Sequence, residues 1–462
     1  MFIAVIFIGL IVVVSSIRKP LIGLYAMLVA LQMENFFLGV LPSWLTLGRL
    51  AGLCAMAGWL VNRHKYRSTP LLSSASLAAP GLLFFAVAIF GALLALDMPS
   101  AFSETIRVSM LLLLGIIVSE TIQTRRDLLT LFWVIVLSTA VGAVAALMQF
   151  DAYQGGGDVA GVYQSRGGVR FEGLSGNANV LGIHLLTSIP FLFCLFYVSR
   201  RIWIRIACLG LMGVTAFAMV LSVSRSNLFP LGIYIAATNL LHRKLGKHLV
   251  ADNAMIAIAA GMLCLAVVQS SEFVWMRISR PIVDQEDETS GHTRLAILLQ
   301  GPKVMSISPI FGVGLRNTRQ YLMHLEAHDT ISALLGETGL FGTLLFVAFC
   351  GAILRRQKSL LARARMSGDP LLLELAVALV GIVCVLIAWI PVKVIYYQRL
   401  FWLWAGLVVW LDMKLRALPG AIAYPRAVAQ SPGWPAPTST DPAVPPWGSA
   451  ARPSPQEGSW HA

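Results

Sequence analysis

Apolar residues run in blocks along most of this chain, many of them close to the 20 residues a helix needs to cross a bilayer. Polar residues are confined to the gaps. The blocks lie near 1–17, 20–41, 44–62, 78–96, 107–119, 128–149, 178–198, 203–223, 227–242, 250–269, 331–354, 371–391 and 395–413. Together they predict an all-α, polytopic integral membrane protein with 12–13 transmembrane helices. The block at 107–119 is the shortest. Thirteen spans place the two chain ends on opposite sides of the membrane. Re-entry or fusion of one early block leaves twelve and puts both ends on one side. Residues 1–17 have neither a basic start nor a small-residue cleavage site, so they predict a retained first span.

Two gaps are long and polar, 150–177 and 270–330, and the second predicts a large helical loop. From 418 onward the apolar blocks stop, and the segment 418–462 holds ten of the 22 prolines. That composition predicts a disordered tail. The expected organisation is a single membrane domain over 1–417 followed by this tail.

Composition sharpens the picture. Hydrophobic residues make up 57% of the chain and charged ones 12%, with mean hydropathy +0.76, against roughly 25% charged in a soluble domain. The net charge of +13 raises the question of nucleic acid, and its placement excludes it. Lys and Arg gather in alternate short connectors, at Arg18/Lys19, Arg63/Lys65, Arg125/Arg126, Arg200/Arg201, Arg243/Lys244, Arg355/Arg356 and Lys414/Arg416. This is the asymmetry of cytoplasmic loops. It places the two long polar loops outside and the C-terminus inside. All six cysteines fall inside apolar blocks without metal-ligand spacing, and read as small packing residues.

Chemistry-bearing residues concentrate in three outward stretches. The first, Arg170-Phe-Glu-Gly-Leu-Ser-Gly-Asn-Ala-Asn179, predicts a tight turn opening a helix capped by Asn177 or Asn179. The second, Ser224-Arg225-Ser226-Asn227, holds an arginine at the outer membrane surface. The third is the large loop, with Gly291-His-Thr-Arg294, Pro309-Ile-Phe-Gly-Val-Gly-Leu-Arg316, Ala327-His328-Asp329 and Glu337-Thr-Gly-Leu-Phe-Gly342. The Gly-Val-Gly turn is no nucleotide fingerprint, because no strand precedes it. His324 and His328 stand at i,i+4 without the acidic pattern of a metalloprotease, so no metal is expected. Guanidinium groups at Arg170, Arg225, Arg294 and Arg316 suit phosphate oxygens, and His328 is the group able to take a proton near neutral pH. Inside the spans, Glu34, Asn35 and His184 either line a lateral lipid path or pair with one another.

The order of these motifs resembles the O-antigen ligase family of bacterial envelope glycosyltransferases, most strongly over 165–350. The superfamily also holds O-antigen polymerases and protein-modifying oligosaccharide transferases. The resemblance implies an enzyme at the outer face of the inner (cytoplasmic) membrane, with its active site facing the periplasm. It would move a glycan from an undecaprenyl diphosphate carrier to an acceptor hydroxyl, on lipid A–core or another molecule, with no cofactor and no metal. By position, Arg225 and Arg294 correspond to arginines expected to hold the diphosphate, and His328 to the histidine that activates the acceptor. Arg170 and Asn179 match the upstream motif, and Arg316 and Asp329 are further candidates for substrate binding. The chain departs from the family's pattern at Asp329, where asparagine is common, and at Ala178, where proline is common. A polymerase, or another O-oligosaccharide ligase using the same donor, stays open as an alternative. A lipid or solute transporter is disfavoured, since no internal repeat is evident and the arginines lie at one surface. Besides donor and acceptor, the expected partners are membrane lipids, with no nucleic acid.

Overall fold

The computed structural model describes residues 11–32, 46–66, 75–156, 162–165, 168–222, 224–246, 302–321 and 327–418. Arg294, His292, His324, Glu34, Asn35, the block at 250–269 and the tail from 419 lie outside the described residues.

The described residues form an all-helical bundle with six helices long and apolar enough to cross a membrane. In chain order the elements are α1 (Pro20–Gln32), α2 (Leu47–Asn62), α3 (Ala75–Leu93), α4 (Met98–Thr121), α5 (Arg125–Gln154), α6 (Ala178–Val198), α7 (Ile202–Leu221) and α8 (Arg225–Lys244), then α9 (Gly339–Gln357), α10 (Leu360–Met366), α11 (Pro370–Trp389) and α12 (Arg399–Arg416). Between α5 and α6 an antiparallel hairpin pairs β1 (Val162–Ser165) with β2 (Gly168–Phe171). The all-α expectation did not contain this hairpin. Its eight residues sit in the first polar loop, where strands can pair outside the bilayer.

The block at 107–119 proves to be the apolar part of a 24-residue helix. The first turns of α4 carry Ser100, Ser103, Glu104 and Arg107, which hydropathy alone discards. Arg316 pairs with Glu104 at 2.9 Å and Arg319 with Asp97 at 2.8 Å, so polar partners from the large loop satisfy that end.

α12 runs through the centre, with every residue from Leu400 to Leu411 buried. Its helical backbone meets α4 closely at paired glycines. A Cβ on Gly406 would lie 2.5 Å from the Gly115 carbonyl oxygen, so only small residues allow this spacing. Its buried indoles all donate hydrogen bonds: Trp402 to the Tyr396 carbonyl at 2.8 Å, Trp404 to Gln357 Oε1 at 2.7 Å and Trp410 to the Ile122 carbonyl at 2.8 Å. Unsatisfied N–H groups would be costly in an apolar interior.

The two ends of the bundle differ in chemistry. At one end Asp412 gathers Arg356, Arg363 and Arg416, Lys19 meets Asp127 at 3.0 Å, and Arg125 meets Asp369 at 3.6 Å. This is the basic end. The other end carries the hairpin, the residues of the large loop and the starts of α4, α6, α8 and α12. From α4 to α8, and again through α9, α11 and α12, consecutive long helices alternate between the two ends.

Candidate functional site

The motifs singled out from sequence are built into two polar assemblies at the loop end of the bundle. The first joins the hairpin exit to the starts of α6 and α8. Gly173 (φ +57°) turns the chain after β2, and Gln149 of α5 clasps it on both sides, accepting from the Gly173 amide at 2.9 Å and donating to its carbonyl at 3.1 Å. The chain then enters α6 through Asn177, whose Oδ1 accepts from the Asn179 and Val180 amides. The capping expectation therefore holds, with Asn177 in that role.

Asn179 is left to do something else. Its Oδ1 accepts from Arg170 Nη2 at 2.8 Å and from the Ser224 hydroxyl at 3.1 Å. Arg170 Nε also donates to the Ser222 carbonyl at 3.2 Å. Asn227 Nδ2 donates to the Asn179 carbonyl at 3.1 Å and to the Ser224 hydroxyl at 2.8 Å. The Asn227 Oδ1 is buried with no hydrogen bond among the described residues. Two stretches about fifty residues apart thus form one network. Burial lifts the Glu172 carboxyl above its ordinary range, while the neighbouring Arg170 guanidinium pulls the other way. Arg225 is the first residue of α8, a 20-residue helix whose N-terminal end favours negative charge.

The second assembly joins the large loop to the start of α9. Leu334–Thr338 is a π-helical turn, and Pro309–Arg316 lies along it. The Val313 amide donates to the Gly336 carbonyl at 2.9 Å, the Gly314 amide to the Glu337 carbonyl at 3.0 Å, and the Leu340 amide to the Pro309 carbonyl at 2.8 Å. Gly312 has φ +71°, and a Cβ there would stand 2.4 Å from the Glu337 carbonyl. The spacing of glycines in both motifs reflects this close contact. Inside it, the buried Glu337 carboxylate accepts from the Tyr396 and Tyr397 hydroxyls, each at 2.6 Å. Arg107 of α4 lies 4.9 Å from the Tyr397 ring centroid and 2.7 Å from Glu104.

His328 is exposed and stands just before this turn. Asp329 is buried and caps the turn, its Oδ1 accepting from the Ser332 amide at 2.7 Å. Thr330 anchors the segment to the connector after α11, its amide donating to the Ile390 carbonyl at 2.9 Å and its hydroxyl to the Lys393 carbonyl at 2.6 Å. The same corner reaches the first assembly, because Trp389 Nε1 donates to the Ser226 carbonyl at 3.1 Å. The end of α11 therefore bonds to Ser226, next to Arg225, and to Thr330, two residues after His328. Arg316 sits apart, held by Glu104 in a left-handed backbone conformation (φ 57°).

Sequence reasoning passed over Glu104, Arg107, Tyr396, Tyr397 and Arg399. Arg399 begins α12, is buried, and lies within electrostatic reach of the buried His184. A signal was present in the adjacent tyrosines followed by an arginine at a span boundary, where aromatic side chains favour the interface. Among the described residues no group of three or more His, Cys, Asp or Glu converges as a metal site would require.

The contact between the loop and α4 has a pH signature. The hydrogen bond from Arg319 holds the Asp97 carboxyl below its usual range, helped by the Ser100 amide. Folding therefore favours the carboxylate. The stability it contributes is complete above the ordinary carboxyl value of about 3.9 and is lost as the pH falls through the lowered folded value. Hydrogen exchange at the Asn317–Gln320 amides is expected to accelerate as the pH drops below about 4, after correction for the intrinsic rate. Asp97→Asn should remove that response, and an unchanged response in the variant would assign it to another group.

Protein-family models give no match to this chain, and neither do the curated proteins.

Proposed function

We propose that this protein is a membrane glycosyltransferase of the O-antigen ligase type, moving a glycan from a polyprenyl diphosphate carrier to an acceptor hydroxyl at the loop end of the bundle. One observation carries the reading. The Arg170–Asn179–Ser224 network adjoins the start of α8, whose Ser226 carbonyl accepts from Trp389 at the end of α11, and Thr330, two residues after His328, bonds to the next carbonyl, that of Ile390. These stretches are far apart in sequence, and they are among those in which the resemblance lies.

The chemistry follows from the side-chain types. The acceptor oxygen attacks the anomeric carbon and forms the new glycosidic bond as the bond from that carbon to the diphosphate oxygen breaks. The acceptor proton passes to His328, and the electron pair leaves with the lipid diphosphate. Guanidinium groups at Arg225 and Arg294 offset the charge that develops on the leaving group. The reaction needs no nucleotide, since the sugar–diphosphate bond already carries the driving force. In this proposal the site faces the periplasm and the membrane is the inner one.

The test is the surface lipopolysaccharide profile of the source bacterium with and without the gene. A ligase predicts loss of glycan-capped lipid A, with carrier-linked polymer accumulating. A single-repeat band in place of long chains would transfer the assignment to a polymerase, and an unchanged profile with unchanged carrier pools would remove both. Arg225→Lys should restore little capping, because a point-charge ammonium lacks the planar fork of arginine.

A further inference from the structure

A polar cavity lies at the basic end, across the bundle from the proposed catalytic site and independent of it. It has a volume of about 570 Å³ and is lined by Lys19, Tyr25, Thr121, Gln123, Thr124, Arg126, Asp127 and Thr130. We propose that it holds the phosphodiester headgroup of an anionic membrane lipid.

Four observations converge. The cavity combines two cations, Lys19 and Arg126, with the Thr130 hydroxyl and the Gln123 amide, a donor set suited to phosphate oxygens. Its single carboxylate, Asp127, is already engaged: Oδ1 accepts from Lys19 at 3.0 Å and Oδ2 from the Thr124 hydroxyl at 2.9 Å and amide at 3.1 Å. The Lys19 side chain remains 54% exposed, so its ammonium has donors left for a ligand. The cavity also opens beside the first turn of α5, a 30-residue helix, whose N-terminal dipole adds to the positive potential.

Location decides between a lipid and a free anion. The cavity sits where α1 and α5 emerge at the basic end, the level of lipid headgroups. From it, exposed apolar side chains continue down both helices. Thr130 lies on the same face of α5 as Leu137, Val141 and Val144, and Ile22 and Val29 are seven residues apart on α1. A headgroup in the cavity would lay its acyl chains along these stripes. Free phosphate would leave them unused.

Native mass spectrometry of the full-length protein in detergent, titrated with phosphatidylglycerol or phosphatidylcholine, tests the proposal. Phosphatidylglycerol is expected to be retained in preference. Lys19→Gln and Arg126→Gln should each weaken retention about fivefold, and together about 25-fold, from about 1 kcal/mol per basic residue near an anionic surface. Arg355→Gln, at the same end but outside the cavity, serves as control, and size-exclusion profiles verify folding. Equal weakening by Arg355→Gln would reduce the effect to general surface charge and overturn the site. If Lys19→Gln disturbs folding, Arg126→Gln alone decides: unchanged retention overturns the proposal and a fivefold loss supports it. Inorganic phosphate at millimolar concentration should not displace the lipid. Displacement by phosphate together with equal retention of both lipids would reassign the cavity to a free anion.

Discussion

Replacing His328 with alanine is expected to lower glycan transfer by about 10²–10⁴-fold, the usual contribution of a positioned general base, while the protein still inserts and purifies in folded form. The expectation of intact folding comes from the anchors of this segment. Its register is set by the Asp329 cap on Ser332 and by Thr330 bonded to the Ile390 and Lys393 carbonyls. The imidazole is exposed and adds little burial. The loss should therefore appear in turnover, with donor binding largely retained, because removing a proton acceptor affects the transition state more than the ground state. Transfer assayed with carrier-linked glycan in reconstituted membranes separates the two. Wild-type turnover by the alanine variant would rule His328 out as base. Asp329→Ala is the instructive companion. It should reduce activity together with stability, since that carboxylate holds the turn that presents the histidine.

Asp412→Ala should destabilise the bundle by about 2–4 kcal/mol. Asp412 is fully buried, and its carboxylate is the common partner of Arg356 at 3.3 Å, of Arg363 at 2.5 Å and of Arg416 at 3.0 Å. Removing the shared anion leaves three cations facing one another at the basic end. Breaking a fully buried pair in this way costs about 3–5 kcal/mol. Arg356 and Arg363 keep about a fifth of their side-chain exposure and Arg416 about two thirds, so water recovers part of that cost. Thermal unfolding in detergent measures the effect, and Asp412→Asn should fall between wild type and alanine. An alanine variant as stable as wild type would show that the arginines resolvate without penalty.

The legible part of this molecule is the part governed by transfer free energy. A block of apolar residues must be buried in lipid or protein wherever it lies in the chain, so the spans and their alternation could be read directly. The block at 107–119 shows where that reading stops. Ser100, Ser103, Glu104 and Arg107 look incompatible with a span until Arg316 and Arg319 arrive from more than 200 residues away. Hydropathy assigns a cost to each residue alone, whereas the cost of a buried charge depends on its partner. Glu337 illustrates the same point, since two tyrosines from a connector some sixty residues later complete its environment.

The candidate site divides along the same line. Residue types in the chain were enough to mark Arg170, Asn179, Arg225 and His328 as unusual at one face of a membrane bundle, and to place the cap at the start of α6. The bonds that tie the segments carrying them to the end of α11, from Trp389 to Ser226 and from Thr330 to Ile390, could not be read from the chain, because they depend on helix packing. The sequence by itself determined an all-helical membrane protein and its chemically distinct loops, because burial and charge act locally. Only the tertiary structure decided which polar groups answer one another, because hydrogen bonds and ion pairs depend on distances that exist only once the helices have packed.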